Sequence, residues 1–340
     1  MARVLIFGAG AIGSVYAWVL TRAGAQVTCV CRSNYEHVRE HGFTLDSDVF
    51  GHGLRVRPTV VDRVQAPPAD APWDFVLVCS KAFPGAEPST PSLVAPAVAS
   101  PRTAIVLVQN GIGIENEWHA AFPRNPVLSG VVYLPATQPQ PGAVRMGNLE
   151  RLEVGAFPAT SVAEATQLGE FMELVQRGGA TILVYDDIQP RRWSKMLVNA
   201  ATWDPATVLA AVNAAGSPFA AGNDASANSG GGYGPDFVWH IMQEIVKIAQ
   251  ACGYAEITED EARHQLARAQ AQTGSAAEAM RLGGGSMLAD VKAGRPLEVE
   301  ALVGNAIKIA EQKGVEAPNL DALYALAKGL DKSVERRHSV

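Results

Sequence analysis

The run Gly8-Ala9-Gly10-Ala11-Ile12-Gly13 constrains this chain more than any other feature. It follows an apolar segment of strand length, Val4–Phe7, and opens a helical stretch, Ala11–Ala23. Such a turn needs its first glycine for the sharp bend and its third for close packing of helix on strand. The second lets the backbone approach a diphosphate. The helix N-terminus adds the positive end of its dipole. Gly8, Gly10, Ala11, Ile12 and Gly13 are therefore candidate contacts to the pyrophosphate of a dinucleotide.

The uncharged stretch from Val4 to Leu20 spans 17 residues, at the short limit for crossing a bilayer, and three glycines interrupt it. It also lacks a clear cleavage segment behind it, so strand, turn and helix explain it better than a signal or membrane segment.

The first half continues to alternate. Gln26–Cys31, Trp73–Cys79 and Ala104–Val108 are apolar runs of strand length, as expected for strands covered on both faces of a parallel sheet. Val127–Leu134 and Leu152–Val154 flank the turn-rich Gln138-Pro139-Gln140-Pro141-Gly142 and suggest a hairpin-like addition to that sheet. After Asp187 helical patterns take over: Pro190–Leu209, Asp236–Cys252, Glu259–Gln272, Leu297–Lys313 and Leu320–Leu330. The reading is an α/β chain with a Rossmann-type dinucleotide-binding domain over residues 1–187 and an all-helical domain over 188–340. Residues 214–234, rich in Gly, Ala, Ser and Asn, read as a loop over the site or as disorder, and Asp331–Val340 as a frayed charged tail.

At the end of the second strand, where an acidic residue would receive the ribose hydroxyls of NAD, stand Arg32 and Ser33. A guanidinium beside a hydroxyl suits the 2′-phosphate of NADP, although a solvated arginine would look the same in sequence. The net charge of −6 argues against nucleic acid or an anionic membrane as partner, so any anionic ligand needs local positive groups. Cys29, Cys31, Cys79 and Cys252 have neither metal-ligand spacing nor disulfide density, which fits core thiols in a reducing, cytoplasmic compartment. The histidines suggest neither a triad nor a metal site.

Lys195 and Asn199 lie four apart in the otherwise apolar Trp193-Ser194-Lys195-Met196-Leu197-Val198-Asn199-Ala200 and so share a helix face. A polar pair there must meet water, a partner or a ligand, because unpaired burial is costly. Trp193 reads as packing. Further polar turns end the third and fourth apolar runs, Cys79-Ser80-Lys81-Ala82-Phe83 and Gln109-Asn110-Gly111.

These two turns, Arg32, the segment around Lys195, and the stretch from Ser286-Met287-Leu288-Ala289-Asp290 through Gly294-Arg295-Pro296-Leu297-Glu298 occur in the order that resembles the ketopantoate reductase family. The resemblance implies NADPH as cofactor and reduction of a small 2-oxo acid, 2-dehydropantoate by default, with a homodimer as a family-level expectation. It implies Lys81 and Asn110 beside the ribose and nicotinamide, and Lys195 as general acid. Asn199, Ser286 and Glu298 would hold the substrate and its new hydroxyl. Two have a plainer alternative: Pro296 could open a helix that Glu298 favours electrostatically, and Ser286 could be an N-cap.

The chain departs from the family pattern where an asparagine is expected eight residues after the lysine. Trp203 stands there and Asp204-Pro205 follows, as though one residue were inserted and absorbed as a π-bulge. Gly283 replaces another asparagine. Asp204 is thus a candidate substrate contact, and a diverged pocket for another ketone or imine is the alternative. A non-catalytic NADPH sensor is a third reading, which retention of both Lys195 and Glu298 argues against.

Overall fold

In a computed structural model, residues 1–159, 162–200, 233–273 and 286–338 are described. They form two units, residues 1–110 with 114–188, and residues 111–113 with 189–340.

The first unit is built on β1 (Arg3–Phe7), β2 (Gln26–Val30), β5 (Thr59–Val61), β6 (Phe75–Val78), β7 (Ala104–Val108), β8 (Val127–Tyr133), β11 (Arg151–Phe157) and β12 (Ile182–Val184). They form one sheet in the order β12-β11-β8-β7-β6-β1-β2-β5. All neighbours are parallel except β8 and β11, which run antiparallel from Arg151 opposite Tyr133 to Phe157 opposite Val127. Every residue of β6 and β7 is buried, the consequence of continuous apolar runs covered on both faces. Helices α1 (Ala11–Arg22), α2 (Tyr35–His41), α3 (Thr90–Val94), α4 (Glu115–Ala121) and α5 (Val162–Arg177) complete the unit.

The flanking runs pair antiparallel as β8 and β11 in the main sheet, the hairpin-like addition expected, and the turn-rich segment between them adds strands of its own. Between β8 and β11 the chain leaves the main sheet. Its strands β9 (Ala136–Gln140) and β10 (Ala143–Met146) join β3 (Phe43–Ser47) and β4 (Gly51–Val56) in a separate four-stranded sheet, ordered β4-β3-β10-β9. Pro139 is tolerated because β9 is an edge strand. This second sheet packs on α1, and Phe43, Leu45, Val56, Val144 and Met146 share one apolar cluster with Val15 and Val19.

The second unit contains α6 (Gln189–Val198), α7 (Tyr233–Ala251), α8 (Glu259–Thr273), α9 (Ser286–Ala293), α10 (Asn305–Lys313) and α11 (Pro318–His338). Its core takes Val238, Ile241, Met242, Ile245, Ile248 and Ala249 from one stripe of α7 at helical spacing. Trp193, 2% exposed, packs there as expected. The carboxylate of Glu244 accepts from the Asn319 and Leu320 backbone N–H groups at 3.0 and 2.8 Å, capping the first turn of α11.

Two helix boundaries differ from expectation. The residues read as a frayed tail continue α11 to His338. Val334 is buried, and the Asp331 carboxylate accepts from the Leu297 N–H at 2.9 Å. Pro296 does not open a helix, because helical backbone starts at Val299 and widens to a π-turn over Glu300–Gly304 before α10. Residues 214–232 of the proposed loop lie outside the described residues, whereas Tyr233 and Gly234 begin α7.

Candidate functional site

In the first unit the chain switches direction around β1, which pairs with β2 on one side and β6 on the other. Ligands of open α/β sheets bind at the carboxyl ends of strands at such a switch point. The glycine-rich turn lies there.

Its three glycines serve different purposes. A Cβ on Gly8, whose φ is +97°, would stand 2.4 Å from the Ser80 nitrogen, and one on Gly13 would stand 2.3 Å from the Gly8 carbonyl oxygen. Both must be glycine for the turn to close on itself. Gly10 has an ordinary φ of −76°, is exposed, and would place a Cβ with no atom within 4 Å. The fold makes no demand for glycine at position 10. Ala11 and Ile12 are half-buried in the first helical turn, whose N–H groups have no partner within the helix. This cradle fits a diphosphate: room above Gly10, donors below it, and a helix N-terminus behind them.

Arg32 and Ser33 are exposed just beyond β2, and Lys81 and Asn110 are half-buried just beyond β6 and β7. Gln109, which the sequence reading gave no role, is 5% exposed and donates to the Ser80 carbonyl at 2.8 Å. It ties the turn bearing Asn110 to the turn bearing Lys81. Burial pushes the Cys31 and Cys79 thiols up to about 12, so at neutral pH they are protonated and do not act as nucleophiles.

In the second unit, Lys195 and Asn199 fall on the half-buried side of α6 and its continuation, while Arg192, Trp193, Ser194, Met196 and Leu197 are buried. Asn199 and Ala200 are already π-helical, and Trp203 and Asp204 lie outside the described residues. Behind Lys195, Ser194 Oγ donates to Glu261 at 2.5 Å, and Gln265 donates to Ser194 Oγ at 2.8 Å. This triangle ties α6 to α8 next to Lys195.

Ser286 opens α9. The segment that follows is closed by Asp290, whose carboxylate meets Arg295 Nε at 2.9 Å while its carbonyl accepts the Arg295 N–H at 2.9 Å. Glu298 is half-buried, and its carbonyl accepts the Leu302 N–H at 3.1 Å, so it stands just before the helical backbone that begins at Val299. That turn also grips residues 111–113. Ala301 accepts the Ile112 N–H at 3.1 Å, and Asn305 donates to the Ile112 carbonyl at 2.9 Å. Arg192 donates to the Gly111 carbonyl at 2.9 Å. Gly111, at φ +112°, has Ala301 oxygen 2.6 Å from where a Cβ would be, which requires glycine. Arg192 and Asn305 carried no signal in sequence, since their partners are backbone carbonyls far along the chain.

Among the described residues no His, Cys, Asp or Glu cluster could hold a metal ion, and no helix is long and apolar enough to cross a membrane.

Residues 4–159 match the family model of ketopantoate reductase PanE/ApbA, and residues 187–331 match that of its C-terminal domain. A 2-dehydropantoate 2-reductase of Nostoc sp. is 26% identical over 97% of this chain and 95% of its own. The crystal structure of 2-dehydropantoate 2-reductase from Methylococcus capsulatus is 31% identical, with a TM-score of 0.75 and 98% of each chain covered. The ternary structure of D-mandelate dehydrogenase with NADH and anilino(oxo)acetate shares the fold, with a TM-score of 0.77 at 19% identity over 98% of this chain and 99% of that one. The chain belongs to the ketopantoate reductase family of oxidoreductases.

Proposed function

We propose that this protein is an NADPH-dependent reductase of 2-oxo acids, with 2-dehydropantoate as the first substrate to test. The observation that carries the reading is Gly10, a glycine that the fold does not need and a bound diphosphate does. Gly8, Gly10, Ala11, Ile12 and Gly13 hold the pyrophosphate, Arg32 and Ser33 take the 2′-phosphate, and Lys81 and Asn110 meet the ribose and nicotinamide.

Bound NADPH supplies a hydride to the carbonyl carbon. The Lys195 ammonium would polarise the carbonyl oxygen and give it a proton, so that a 2-oxo acid receiving the hydride becomes a 2-hydroxy acid. Asn199, Ser286 and Glu298 orient the substrate and the new hydroxyl. The rigid seating of α6 supports this role, because a general acid works only when its direction is held.

A second reading, reduction of a different ketone or imine, is favoured by Trp203 and Asp204 in place of the family's asparagine. A carboxylate beside the substrate's own carboxylate repels it in a desolvated site. A panel of 2-oxo acids scored by NADPH oxidation separates the two. Under the second reading 2-dehydropantoate turns over slowly and Asp204→Asn speeds it. Fast native turnover that Asp204→Asn leaves alone restores the first reading, and no NADPH oxidation with any 2-oxo acid defeats the first.

A further inference from the structure

Three side chains outside the glycine-rich turn converge on its carbonyl groups. Asn34 Nδ2 donates to the Ala9 carbonyl at 2.9 Å. Ser14 Oγ donates to the Gly10 carbonyl at 2.7 Å and lies 3.3 Å from that of Ala9. Gln138 links the two: its Oε1 accepts from Asn34 Nδ2 and its Nε2 donates to Ser14 Oγ, each at 3.3 Å. Asn34 and Ser14 are 8% and 2% exposed, and Gln138 is half-buried on β9. The orientation of each amide is fixed by the chain of donors and acceptors, with the Ala9 carbonyl at one end and the Gly10 carbonyl at the other.

In a planar trans peptide the carbonyl and the following N–H point in opposite directions. Anchoring the Ala9 and Gly10 carbonyls therefore aims the N–H groups of Gly10 and Ala11 away from the anchors. Those are the donors that a pyrophosphate would meet. The Gly10 carbonyl is also held by the Ser14 backbone N–H at 2.9 Å, so it is the Ala9–Gly10 peptide plane that, without its anchor from Asn34, could rotate and present a carbonyl oxygen to an anion. The sheet that carries Gln138 packs on α1, the helix that the turn opens, which holds the anchor in register with the turn.

We propose that Gln138 and Asn34 are positioning residues for the dinucleotide, with β9 of the four-stranded sheet serving as a brace that sets the peptide planes of the phosphate-binding turn. The proposal rests on the reading that this turn binds NADPH. It assigns a task to the second sheet, which has no counterpart in the strand–turn–helix motif itself.

The test is direct binding to the full-length protein, independent of turnover. NADPH is titrated by calorimetry, and adenosine 2′-monophosphate, which has the 2′-phosphate but no pyrophosphate, is followed by ligand-observed NMR. Gln138→Leu removes both amide bonds at similar volume, and Gln138→Glu keeps only the acceptor toward Asn34. The expected result is a Kd for NADPH raised about three- to tenfold in Gln138→Leu, as befits lost hydrogen bonds, and at least as much in Gln138→Glu, which loses the bond to Ser14 and adds a negative charge behind the phosphate-binding turn. Affinity for the 2′-monophosphate and the melting temperature should stay at wild-type values. NADPH binding equal to wild type in both variants overturns the brace and leaves the NADPH reading standing. Parallel loss of both ligands also overturns it, since that is general disruption. A wild-type protein that binds no NADPH rejects the reading and the brace together.

Discussion

Gly10 and Gly13 are three residues apart in one turn, yet the two positions should respond oppositely to alanine. A Cβ at Gly13 would press on the Gly8 carbonyl oxygen at 2.3 Å, backbone that cannot give way, with Ile6 Cγ2 at 3.2 Å beside it. Gly13→Ala should therefore cost about 1–3 kcal/mol of stability, read from denaturant unfolding. Gly10→Ala meets open space at an allowed φ, so stability should stay within about 1 kcal/mol of wild type while NADPH binding is lost. If Gly10→Ala bound NADPH normally, the space above Gly10 would not be where the diphosphate lies. Arg32 poses a separate question at the same scale. It is exposed at the carboxyl end of β2, and losing a charge-assisted bond to the 2′-phosphate should cost about 1.5–3 kcal/mol of NADPH affinity. NADH lacks that phosphate, so Arg32→Ala should leave its affinity nearly unchanged, and equal losses for both cofactors would remove Arg32 from the site.

Among the elements, the π-turn Glu300–Gly304 links the most features with the least regular backbone. π-turns are uncommon and often mark functional positions, and here the Glu298 carbonyl accepts the Leu302 N–H while Ala301 grips Ile112. The turn is pinned to α11 by the Glu300 carboxylate, which accepts from Tyr324 Oη at 2.7 Å and Lys328 Nζ at 3.1 Å. Gly304 leaves the room, since a Cβ there would lie 2.5 Å from a Glu300 oxygen. Burial alone would raise the Glu300 pKa. The bonds from Tyr324 and Lys328 and the charges of Lys328 and Lys308 outweigh it and hold the carboxyl below its ordinary value. A carboxylate whose folded pKa is depressed stabilises the fold above its unfolded pKa and loses that contribution as pH falls through the folded one. Glu300→Gln should thus destabilise at neutral pH, with the gap from wild type closing in acid below the ordinary carboxylate range, and Tyr324→Phe should cost about 1 kcal/mol. A gap independent of pH would mean that the carboxylate's charge is not what pins the turn. None of this was readable from sequence, because Pro296 followed by Glu298 looks like a helix start until Leu297 is found bonded to Asp331. β6 and β7, by contrast, announce themselves as unbroken apolar runs. β4 and β9 do not: one is glycine-rich and largely exposed, the other polar and interrupted by Pro139. For such strands tertiary pairing, not local pattern, decides the conformation.

At the scale of the whole molecule, the order of motifs was informative where single residues were not. The glycine-rich turn, the polar strand ends and the Lys195 helix could be placed from spacing and resemblance, and the family models cover both halves of the chain. The assignment of residues 111–113 to the helical unit was hidden, because a boundary drawn at one point cannot express a three-residue exchange held by Arg192, Ala301 and Asn305. The braces behind the site were hidden for a similar reason, since Asn34 and Gln138 are 104 residues apart. The proposed reaction moves a hydride from NADPH to a 2-oxo acid with Lys195 as the proton donor. Incubation with 2-dehydropantoate and NADPH carrying deuterium at both C4 hydrogens of the nicotinamide, followed by mass spectrometry of the product, reads out that transfer. The expected product is a 2-hydroxy acid with deuterium on the carbon that bore the oxo group, formed about 10²–10⁴-fold more slowly by Lys195→Ala. An unlabelled product, or a Lys195→Ala variant as fast as wild type, would contradict it.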